Sequence, residues 1–446
     1  VSRKNFLHLA GKGLAAGTLS GLASACQVGR RYPADPSTTY TAGDGVKVPS
    51  SAPYSPPAKV PDKPGEAVEL EPWKSKADRE TAPAKLPLPP DKRVGYALVG
   101  LGHLTLEELL PAFGECRQSK PVALVSGSPE KMQYVAQQYG IKPENCYSYE
   151  TYDRLKDNPE VQAIYIVLPN SMHAEYTIRG AQAGKHILCE KPMANSVAEC
   201  QAMIDACKKA DRKLMVAYRI QYEPNNRFIR DLIRSEEYGK VKFIEAFNTQ
   251  SSANPKHWRH IKALAGGGAL PDIGLYCLNT IRFLLGEEPT EVFGYQYSTP
   301  GNPLFAEVEE VMSWQMRFPG GVIANCGTHY QVHESRRYRV LADKAWLGME
   351  WAFAYRGQQI QVSRADGKLE RTETPKVAEK NQFATEMDHF SACILENKAP
   401  FTPGEEGLQD QRIMEAIYQS AREGRPVQLP AVNSRDAFRG PEPKES

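Results

Sequence analysis

A chain of 446 residues is too long for one small hydrophobic core and suits two domains with extensions. Its 55 basic and 53 acidic side chains leave a net charge of +2, which gives no electrostatic signature of a nucleic-acid or anionic-membrane partner. An apolar content of 41% excludes a largely disordered chain, and no apolar run is long enough for a transmembrane protein. The 9 cysteines form neither a C-x-x-C motif nor a zinc-finger spacing with histidine, so no metal site is predicted.

Residues 1–26 have the layout of an export signal. Arg3 and Lys4 precede a small-residue apolar stretch, and an Ala-Ser-Ala sequence comes directly before Cys26. The start is similar to a twin-arginine signal with lysine in the second position, so we expect a periplasmic or otherwise exported protein. Cys26 stands where a lipoprotein cysteine would stand, which leaves a lipid anchor and simple removal of the signal both open. The other interpretation is an amphipathic N-terminal helix.

Residues 27–92 are dense in proline, which is incompatible with a sustained helix or a central strand. We expect this segment to be an extended arm. It serves either as a disordered spacer or as an arm that packs along the protein or across a subunit.

The next segment carries a dinucleotide-binding pattern. A buried strand at 94–99 runs directly into a G-x-G turn and an apolar-periodic helix, in which Thr105 takes the place of the third glycine and Pro111 predicts a kink. The glycines would let backbone amides approach a pyrophosphate at the start of the helix. The residues of this turn assigned to the cofactor are Gly100, Gly102, His103 and Leu104.

The second strand, 122–125, favours NADP over NAD. An NAD enzyme usually carries an acid at the end of this strand to bind the ribose 2′-hydroxyl, but Ser126 and Gly127 stand there instead. Ser126, Ser128 and Lys131 suit a 2′-phosphate, to which the lysine offers a point charge. The other interpretation is a capped helix with a solvated lysine.

Three further strands at 162–168, 185–189 and 213–217 alternate with helices at 171–183 and 196–210, which is typical of a doubly wound parallel sheet. Ligands of such sheets bind beyond the carboxyl ends of the strands. The polar clusters that follow two of these strands, assigned to the cofactor crevice, comprise Leu168, Pro169, Asn170, His173, Glu190 and Lys191.

Several motifs taken together resemble the Gfo/Idh/MocA oxidoreductases, and within that family the glucose–fructose oxidoreductases. The residues that carry the resemblance are Gly100-Leu101-Gly102, Leu168-Pro169-Asn170-Ser171-x-His173, Cys189-Glu190-Lys191-Pro192, Tyr218-Arg219 and Gly266-Gly267-Gly268-x-Leu270-x-Asp272-Ile273-Gly274-x-Tyr276. The similarity covers about 90–430.

The resemblance implies an α/β protein with an N-terminal Rossmann domain at 93–217 and a C-terminal α+β domain at 218–431, followed by a tail at 432–446. The second domain would contain a large, open, mostly antiparallel sheet that buries one face by forming a homo-oligomer, a dimer or a tetramer. A final amphipathic helix is expected at about 407–423. The segments that read as its strands are 241–249, 291–299, 308–318, 320–330, 337–342 and 347–353.

The resemblance also implies the catalytic set. Lys191 matches the family's catalytic lysine, and Tyr276 stands where most relatives carry histidine, a feature shared with glucose–fructose oxidoreductases. Oxidation of an alcohol by hydride transfer requires removal of the hydroxyl proton, and a tyrosine with a pKa of about 10 is a poor base unless a neighbouring ammonium lowers that pKa. Asp272 would orient the sugar or Lys191. The alternatives are a capping lysine, a helix N-cap aspartate and a core tyrosine.

By the same resemblance, Arg219 belongs to the cofactor site, and Tyr222, Trp258 and Arg259 line the substrate cleft, while His173 serves the site directly or as a core residue. The function implied is oxidation of an aldose at C1 to the lactone and reduction of a second sugar by the same tightly bound NADP(H). Export favours such retention, since soluble nicotinamide cofactor is not maintained outside the cytoplasm. A conventional NADP-linked sugar dehydrogenase, an exported NAD-dependent glycosidase of the same fold and a non-catalytic relative remain alternatives.

Overall fold

The computed structural model describes residues 87–251 and 257–443, together with four short strands earlier in the chain. Residues 1–26, with the predicted signal and Cys26, lie outside the described residues. The chain divides into two units, Val1–Pro83 and Ala84–Ser446. In the first unit, within the proline-rich segment, β1 (Thr39–Thr41) pairs with β2 (Lys47–Pro49) and β3 (Ala58–Lys59) pairs with β4 (Glu69–Leu70), both antiparallel.

The second unit begins with a six-stranded parallel sheet in the order β10-β9-β8-β5-β6-β7. All side chains of β5 are buried, as expected for a parallel sheet with helices on both faces. This arrangement confirms the predicted Rossmann sheet. The strands are β5 (Val94–Val99), β6 (Ser119–Val125), β7 (Cys146–Tyr147), β8 (Ala163–Ile166), β9 (His186–Glu190) and β10 (Leu214–Ala217). The helices are α1 (Leu110–Ala112), α2 (Pro129–Gln138), α3 (His173–Gln182) and α4 (Val197–Lys209).

The helix after the glycine turn differs from the prediction. A helix does form there, but its first part, Leu104–Leu109, is π-helical, and only the short α1 continues it as an α-helix. Two side chains explain this. Thr105 donates its hydroxyl to the Gly100 carbonyl at 2.7 Å, and Pro111 has no backbone N–H to continue the ladder.

A nine-stranded sheet follows, in the order β18-β17-β16-β15-β11-β14-β13-β12-β19. All neighbouring pairs are antiparallel except β11 and β14, which confirms the predicted mostly antiparallel sheet. The strands are β11 (Val241–Ser251), β12 (Glu291–Tyr297), β13 (Val311–Arg317), β14 (Ile323–His329), β15 (Gln331–Ala342), β16 (Ala345–Glu350), β17 (Gln359–Asp366), β18 (Leu369–Glu373) and β19 (Val427–Gln428). The helices of this part are α5 (Pro224–Arg234), α6 (Lys262–Ala265), α7 (Leu275–Leu285), α8 (Gln382–Leu395) and α9 (Gly404–Glu423).

Short helical turns complete the second unit, and among the helices that the structure describes none is both apolar and long enough to cross a membrane. A π-helical turn at Leu270–Gly274 leads directly into α7. The 3₁₀ turns are Pro90–Lys92, Pro143–Asn145, Tyr152–Asp157, Asn170–Met172, Arg219–Tyr222, Trp258–His260 and Pro303–Phe305.

Helix α8 packs on the Rossmann sheet although it follows the second sheet in the chain. Its Met387 carbonyl accepts a hydrogen bond from the Tyr96 hydroxyl at 3.0 Å, and its Asp388 carboxylate accepts the backbone N–H of Arg117 at 2.6 Å. The segment after β19 is also held in place, because Arg439 donates to Glu406 of α9 at 2.7 Å. Late parts of the chain therefore complete the support of the nucleotide-binding half.

Candidate active site

A cleft of about 980 Å³ lies at the carboxyl ends of the parallel strands and is closed on its far side by residues of the second sheet. It collects almost every residue that the sequence assigned to cofactor or substrate. Those that line it are Gly100, Gly102, His103, Leu104, Ser126, Gly127, Lys131, Leu168, Pro169, Asn170, Glu190, Lys191, Arg219, Trp258, Arg259, Asp272 and Tyr276.

The glycine turn presents bare backbone to this cleft. Gly100 adopts a φ of +99°, and a Cβ there would lie 2.2 Å from the carbonyl oxygen of Val167, so only glycine fits. At Gly102 a Cβ would meet no atom within 4 Å, because the position faces open space. The turn therefore offers the close backbone approach that a dinucleotide pyrophosphate requires.

The end of β6 carries no acidic side chain, as the sequence predicted. The Ser126 hydroxyl accepts the backbone N–H of Ser128 at 3.2 Å, and Lys131 donates its ammonium to the Leu101 carbonyl at 2.8 Å. Lys131 thus lies beside the glycine turn with further N–H groups free to bind an anion. Tyr149, which the sequence analysis missed, also lines this end of the cleft, and its ring would lie 3.1 Å from a Cβ at Gly127.

Lys191 and Asp272 form the charged centre of the cleft. The Lys191 ammonium donates to the Asp272 backbone carbonyl at 2.7 Å and lies 3.6 Å from the carboxylate oxygen Oδ1. Their side chains are only 11% and 13% exposed. Because Asp272 lies in the π-helical turn Leu270–Gly274 that leads into α7, the carbonyl that Lys191 contacts belongs to a helical segment. Of the two predicted roles for Asp272, the structure supports orientation of Lys191.

The second carboxylate oxygen of Asp272 has two other partners. Arg259 Nε lies 3.0 Å from Oδ2, and the buried hydroxyl of Tyr330 donates to the same oxygen at 2.6 Å. Burial alone would raise the pKa of Asp272, but the charges of Arg259 and Lys191 and the Tyr330 hydrogen bond together hold it below its usual value. Asp272 is therefore a carboxylate at neutral pH. Tyr330 has no motif around it that could have identified it from the sequence.

Tyr276 lies against two cations. The Lys191 ammonium is 4.7 Å from the centroid of its ring, and the Arg219 guanidinium carbon is 4.8 Å from the same centroid. Arg219 is fixed by hydrogen bonds to the Gln382 side chain at 2.6 Å and to the Phe353 carbonyl at 2.7 Å. Lys191 thus approaches the π-face of the phenol, where its charge is attracted by the ring electrons.

Two predicted site residues lie outside the cleft. Tyr222 is buried, and its hydroxyl lies 3.0 Å from the Thr402 hydroxyl with its ring against Phe401, so its assignment to the substrate cleft is wrong. His173 is also buried and is not among the residues that line the cleft. Its ring nitrogens lie 2.9 Å from the carbonyl oxygens of Leu168 and of Pro192, and burial lowers its pKa. His173 therefore joins two strand ends of the crevice and does not itself line it.

Glu190, which lines the cleft, lies close enough to the buried Glu386, a residue missed by the sequence analysis, for their charges to interact. Tyr165 donates its hydroxyl to Glu190 at 2.8 Å, and burial raises the pKa of Glu190. Glu386 of α8 is fully buried, and neither of its carboxylate oxygens has a hydrogen-bond partner among the described residues. Burial, and after it the charge of Glu190, raises the pKa of Glu386 well above its usual value.

A Rossmann sheet with a glycine turn open to the cleft, and a lysine–aspartate pair beside a tyrosine, define a nucleotide-dependent oxidoreductase. The sequence profile described as "Oxidoreductase family, NAD-binding Rossmann fold" matches residues 94–218, and its companion, "Oxidoreductase family, C-terminal alpha/beta domain", matches 230–429. The chain belongs to the Gfo/Idh/MocA oxidoreductase family, as the resemblance implied.

Three relatives illustrate the similarity. The D-xylose 1-dehydrogenase [NADP(+)] of Haloarcula marismortui is 32% identical over 345 residues, which cover 76% of this chain and 94% of the relative. The 1,5-anhydro-D-fructose reductase of Ensifer adhaerens is 24% identical over 346 residues, 75% of this chain and 98% of the relative. The crystal structure of aldose-aldose oxidoreductase from Caulobacter crescentus, complexed with glycerol, is 45% identical with a TM-score of 0.73, covering 76% of this chain and 100% of that one.

Proposed function

We propose that the protein is an NADP-dependent sugar oxidoreductase that oxidises an aldose at C1 to the lactone and reduces a second sugar with the same retained cofactor. The observation that carries this proposal is the arrangement of Lys191, Asp272 and Tyr276 in a cleft that also contains the glycine turn. A nicotinamide held by the glycine turn and the residues of this cleft would supply the hydride chemistry, as acceptor in the first half of the cycle and as donor in the second. The aldose loses that hydride from C1 and a proton from its hydroxyl, and the second sugar gains both at its carbonyl group.

The residues of the chain divide the remaining work among them. Tyr276 takes the hydroxyl proton in the first half and returns it in the second, as a positioned phenol in general acid–base catalysis. Lys191, held by Asp272, places a positive charge over the ring of the group that exchanges the proton. Because the proton and the hydride both go to the second sugar, the cycle needs no external oxidant.

The choice of NADP rests on the end of β6. Ser126 and Ser128 offer hydroxyl and amide donors, and Lys131 offers a cation, whereas an acid that would repel a 2′-phosphate is missing from this strand end. The Haloarcula relative, which is named as an NADP-dependent dehydrogenase, supports the same choice.

A conventional NADP-linked sugar dehydrogenase is the second candidate, favoured by the name of that dehydrogenase. One experiment separates the two. The protein is purified without added cofactor, its nucleotide is released with acid and identified by chromatography, and the untreated protein is then mixed with an aldose followed by a second sugar. We expect NADP in the purified protein, reduction by the first sugar and reoxidation by the second. An empty protein that turns over only with added NADP identifies the conventional dehydrogenase.

We further infer export to the periplasm from the basic, apolar and small-residue layout of 1–26. Fractionation of cells that produce the full chain tests this location. Mass spectrometry of the mature N-terminus distinguishes lipidated Cys26 from a removed signal. Recovery of the uncut chain in the cytoplasm contradicts export.

We also infer a homo-oligomer from the solvent-facing side of the nine-stranded sheet. Tyr295 and Tyr297, on one face of β12, are 66% and 58% exposed, and Ile323 of β14 and Leu341 of β15 are further exposed apolar side chains of the sheet. An apolar surface of this kind favours burial against a second copy. Light scattering of wild-type protein and of a Tyr295→Lys variant measures the assembly, and a monomeric wild type contradicts the inference.

A further inference from the structure

Tyr330 lies outside the cleft lining, yet it contacts the charged centre directly. It is fully buried in the turn between β14 and β15, in a small apolar cluster separate from the main core. Its hydroxyl donates to Asp272 Oδ2 at 2.6 Å, which is the short distance typical of a hydroxyl bound to a carboxylate.

The ring of Tyr330 is held in one orientation by its neighbours. It stacks on Phe305 with the ring centroids 6.4 Å apart and 19° between the planes, and the His260 ring packs edge-on at 5.8 Å. Its backbone N–H donates to the Glu310 carbonyl at 3.0 Å. A hydroxyl on a ring that cannot turn gives the carboxylate of Asp272 a fixed donor, whereas Arg259 approaches it on a long, partly exposed side chain.

We propose that Tyr330 is a positioning residue for the reaction: by holding Oδ2 of Asp272, it directs Oδ1 toward Lys191, whose ammonium also donates to the Asp272 carbonyl, and so fixes the ammonium over Tyr276. This inference rests on the proposed function, because Lys191 and Tyr276 matter here as the proton-handling pair. Three observations support it: the 2.6 Å bond, the 2.7 Å bond from Lys191 to the Asp272 carbonyl, and the 4.7 Å distance from Lys191 to the Tyr276 ring.

The surroundings favour a neutral Tyr330 and an ionised Asp272. Burial, and after it the charge of Asp272, raises the pKa of Tyr330 well above its usual value, so the phenol remains a donor. The charged and titratable groups around the pair, on every element packed against it, are Lys191, His257, Arg259, His260 and Glu309. When the Tyr330 hydroxyl is removed, Arg259 and Lys191 are the remaining partners of the Asp272 carboxylate. The carboxylate can then rotate between these two cations.

The test combines Tyr330→Phe with Asp272→Asn. Tyr152→Phe is the matched control, because Tyr152 is an equally buried tyrosine whose hydroxyl donates to a carbonyl at 2.7 Å in the Rossmann half. The rate of reduction of the bound nucleotide by an aldose is measured in a single turnover across a range of pH. We expect Tyr330→Phe to lower the rate about ten- to a hundredfold, with little change in the sugar concentration for half-maximal rate. The acid limb of its pH–rate profile should move to higher pH.

The Asp272→Asn background shows whether Tyr330 acts through Asp272. In that background Tyr330→Phe should have little further effect on the rate, whereas the effect of Tyr152→Phe should be the same in both backgrounds.

Thermal unfolding of wild type, Tyr330→Phe, Asp272→Asn and the double variant supplies a readout that needs no sugar. The loss of Tm caused by Tyr330→Phe should shrink in the Asp272→Asn background. Equal losses in both backgrounds, or an unchanged rate and acid limb in active Tyr330→Phe protein, overturn the inference. If wild-type protein reduces no nucleotide with any aldose, the proposed function fails, and the unfolding measurements still decide whether Tyr330 holds Asp272.

Discussion

The ammonium of Lys191 lies over the ring of Tyr276, 4.7 Å from its centroid, while the same ammonium donates to the Asp272 carbonyl at 2.7 Å. The hydrogen bond to Asp272 therefore sets the position of the Lys191 ammonium relative to the phenol of Tyr276. The Arg219 guanidinium, whose carbon lies 4.8 Å from the ring centroid, adds a second cation that stays protonated at neutral pH. Both cations therefore lie against the ring of Tyr276, the residue to which we assign transfer of the sugar hydroxyl proton.

Removal of the Tyr276 hydroxyl should abolish chemistry and spare binding. We expect Tyr276→Phe to fold and to retain nucleotide, because its ring still packs on Phe353 at 6.0 Å. Reduction of that nucleotide by aldose should slow by about a hundred- to ten-thousandfold, the usual contribution of a general base. Single-turnover absorbance of the reduced nicotinamide measures the effect. An unchanged rate removes Tyr276 from the mechanism.

Loss of the lysine charge should act through the same phenol. Lys191→Met keeps much of the side-chain volume but leaves Asp272 paired only with Arg259 and Tyr330. We expect the rate of nucleotide reduction by aldose to fall by about a hundredfold, because the phenol then lacks the nearer of its cations. Lys209→Met on the end of α4 is the surface control. Identical pH–rate profiles for Lys191→Met and wild type would contradict the assignment.

Cofactor choice should depend on the end of β6. Lys131→Met removes the cation beside the glycine turn, and we expect NADP to bind about tenfold more weakly while NAD, which lacks the 2′-phosphate, is unaffected. Ser126→Asp should go further, because a carboxylate there repels the phosphate and suits a ribose hydroxyl. Titration of nucleotide-depleted protein with NADP and with NAD gives the ratio of the two dissociation constants. If this ratio is unchanged in both variants, the 2′-phosphate is not bound by Ser126 and Lys131.

The sequence predicted the parallel sheet well because its signals are local. The strand at 94–99 was found with its observed bounds, since an unbroken apolar run enters the glycine turn directly. The neighbouring strand was expected at 122–125 but begins at Ser119, because the sheet accommodates Pro121 through a register shift opposite Tyr96 and Ala97.

The features that the sequence did not predict depend on contacts between distant parts of the chain. Helix α8 supports β5 through a bond between Tyr96 and Met387, 291 residues apart, and nothing in its own sequence reveals that partner. Tyr222 was placed in the cleft by resemblance, but the turn that carries it directs the side chain into the core beside Thr402. Lys191, Asp272 and Tyr276 stand in recognisable motifs, whereas Tyr330 and Glu386 are isolated residues whose roles arise only from packing.

The pH dependence of the free energy of unfolding should show that Glu386 keeps its proton in the folded protein. Its pKa is raised by burial, and further by Glu190, so in the folded protein it keeps a proton at pH values where the unfolded chain has lost it. A group of this kind favours folding below its ordinary pKa of 4.5, and that contribution is lost as pH rises toward the folded value. Glu386→Gln carries no ionisable group. The variant should therefore match wild type near pH 4 and become progressively more stable than wild type up to about pH 8.

Urea unfolding of both proteins across this range measures the difference, and Glu130→Gln is the control because Glu130 lies exposed in the first turn of α2. The control should run parallel to wild type at every pH. If the curve for Glu386→Gln also runs parallel, Glu386 is ionised in the folded state. It must then be compensated by Arg219, the cation whose charge acts on it among the described residues.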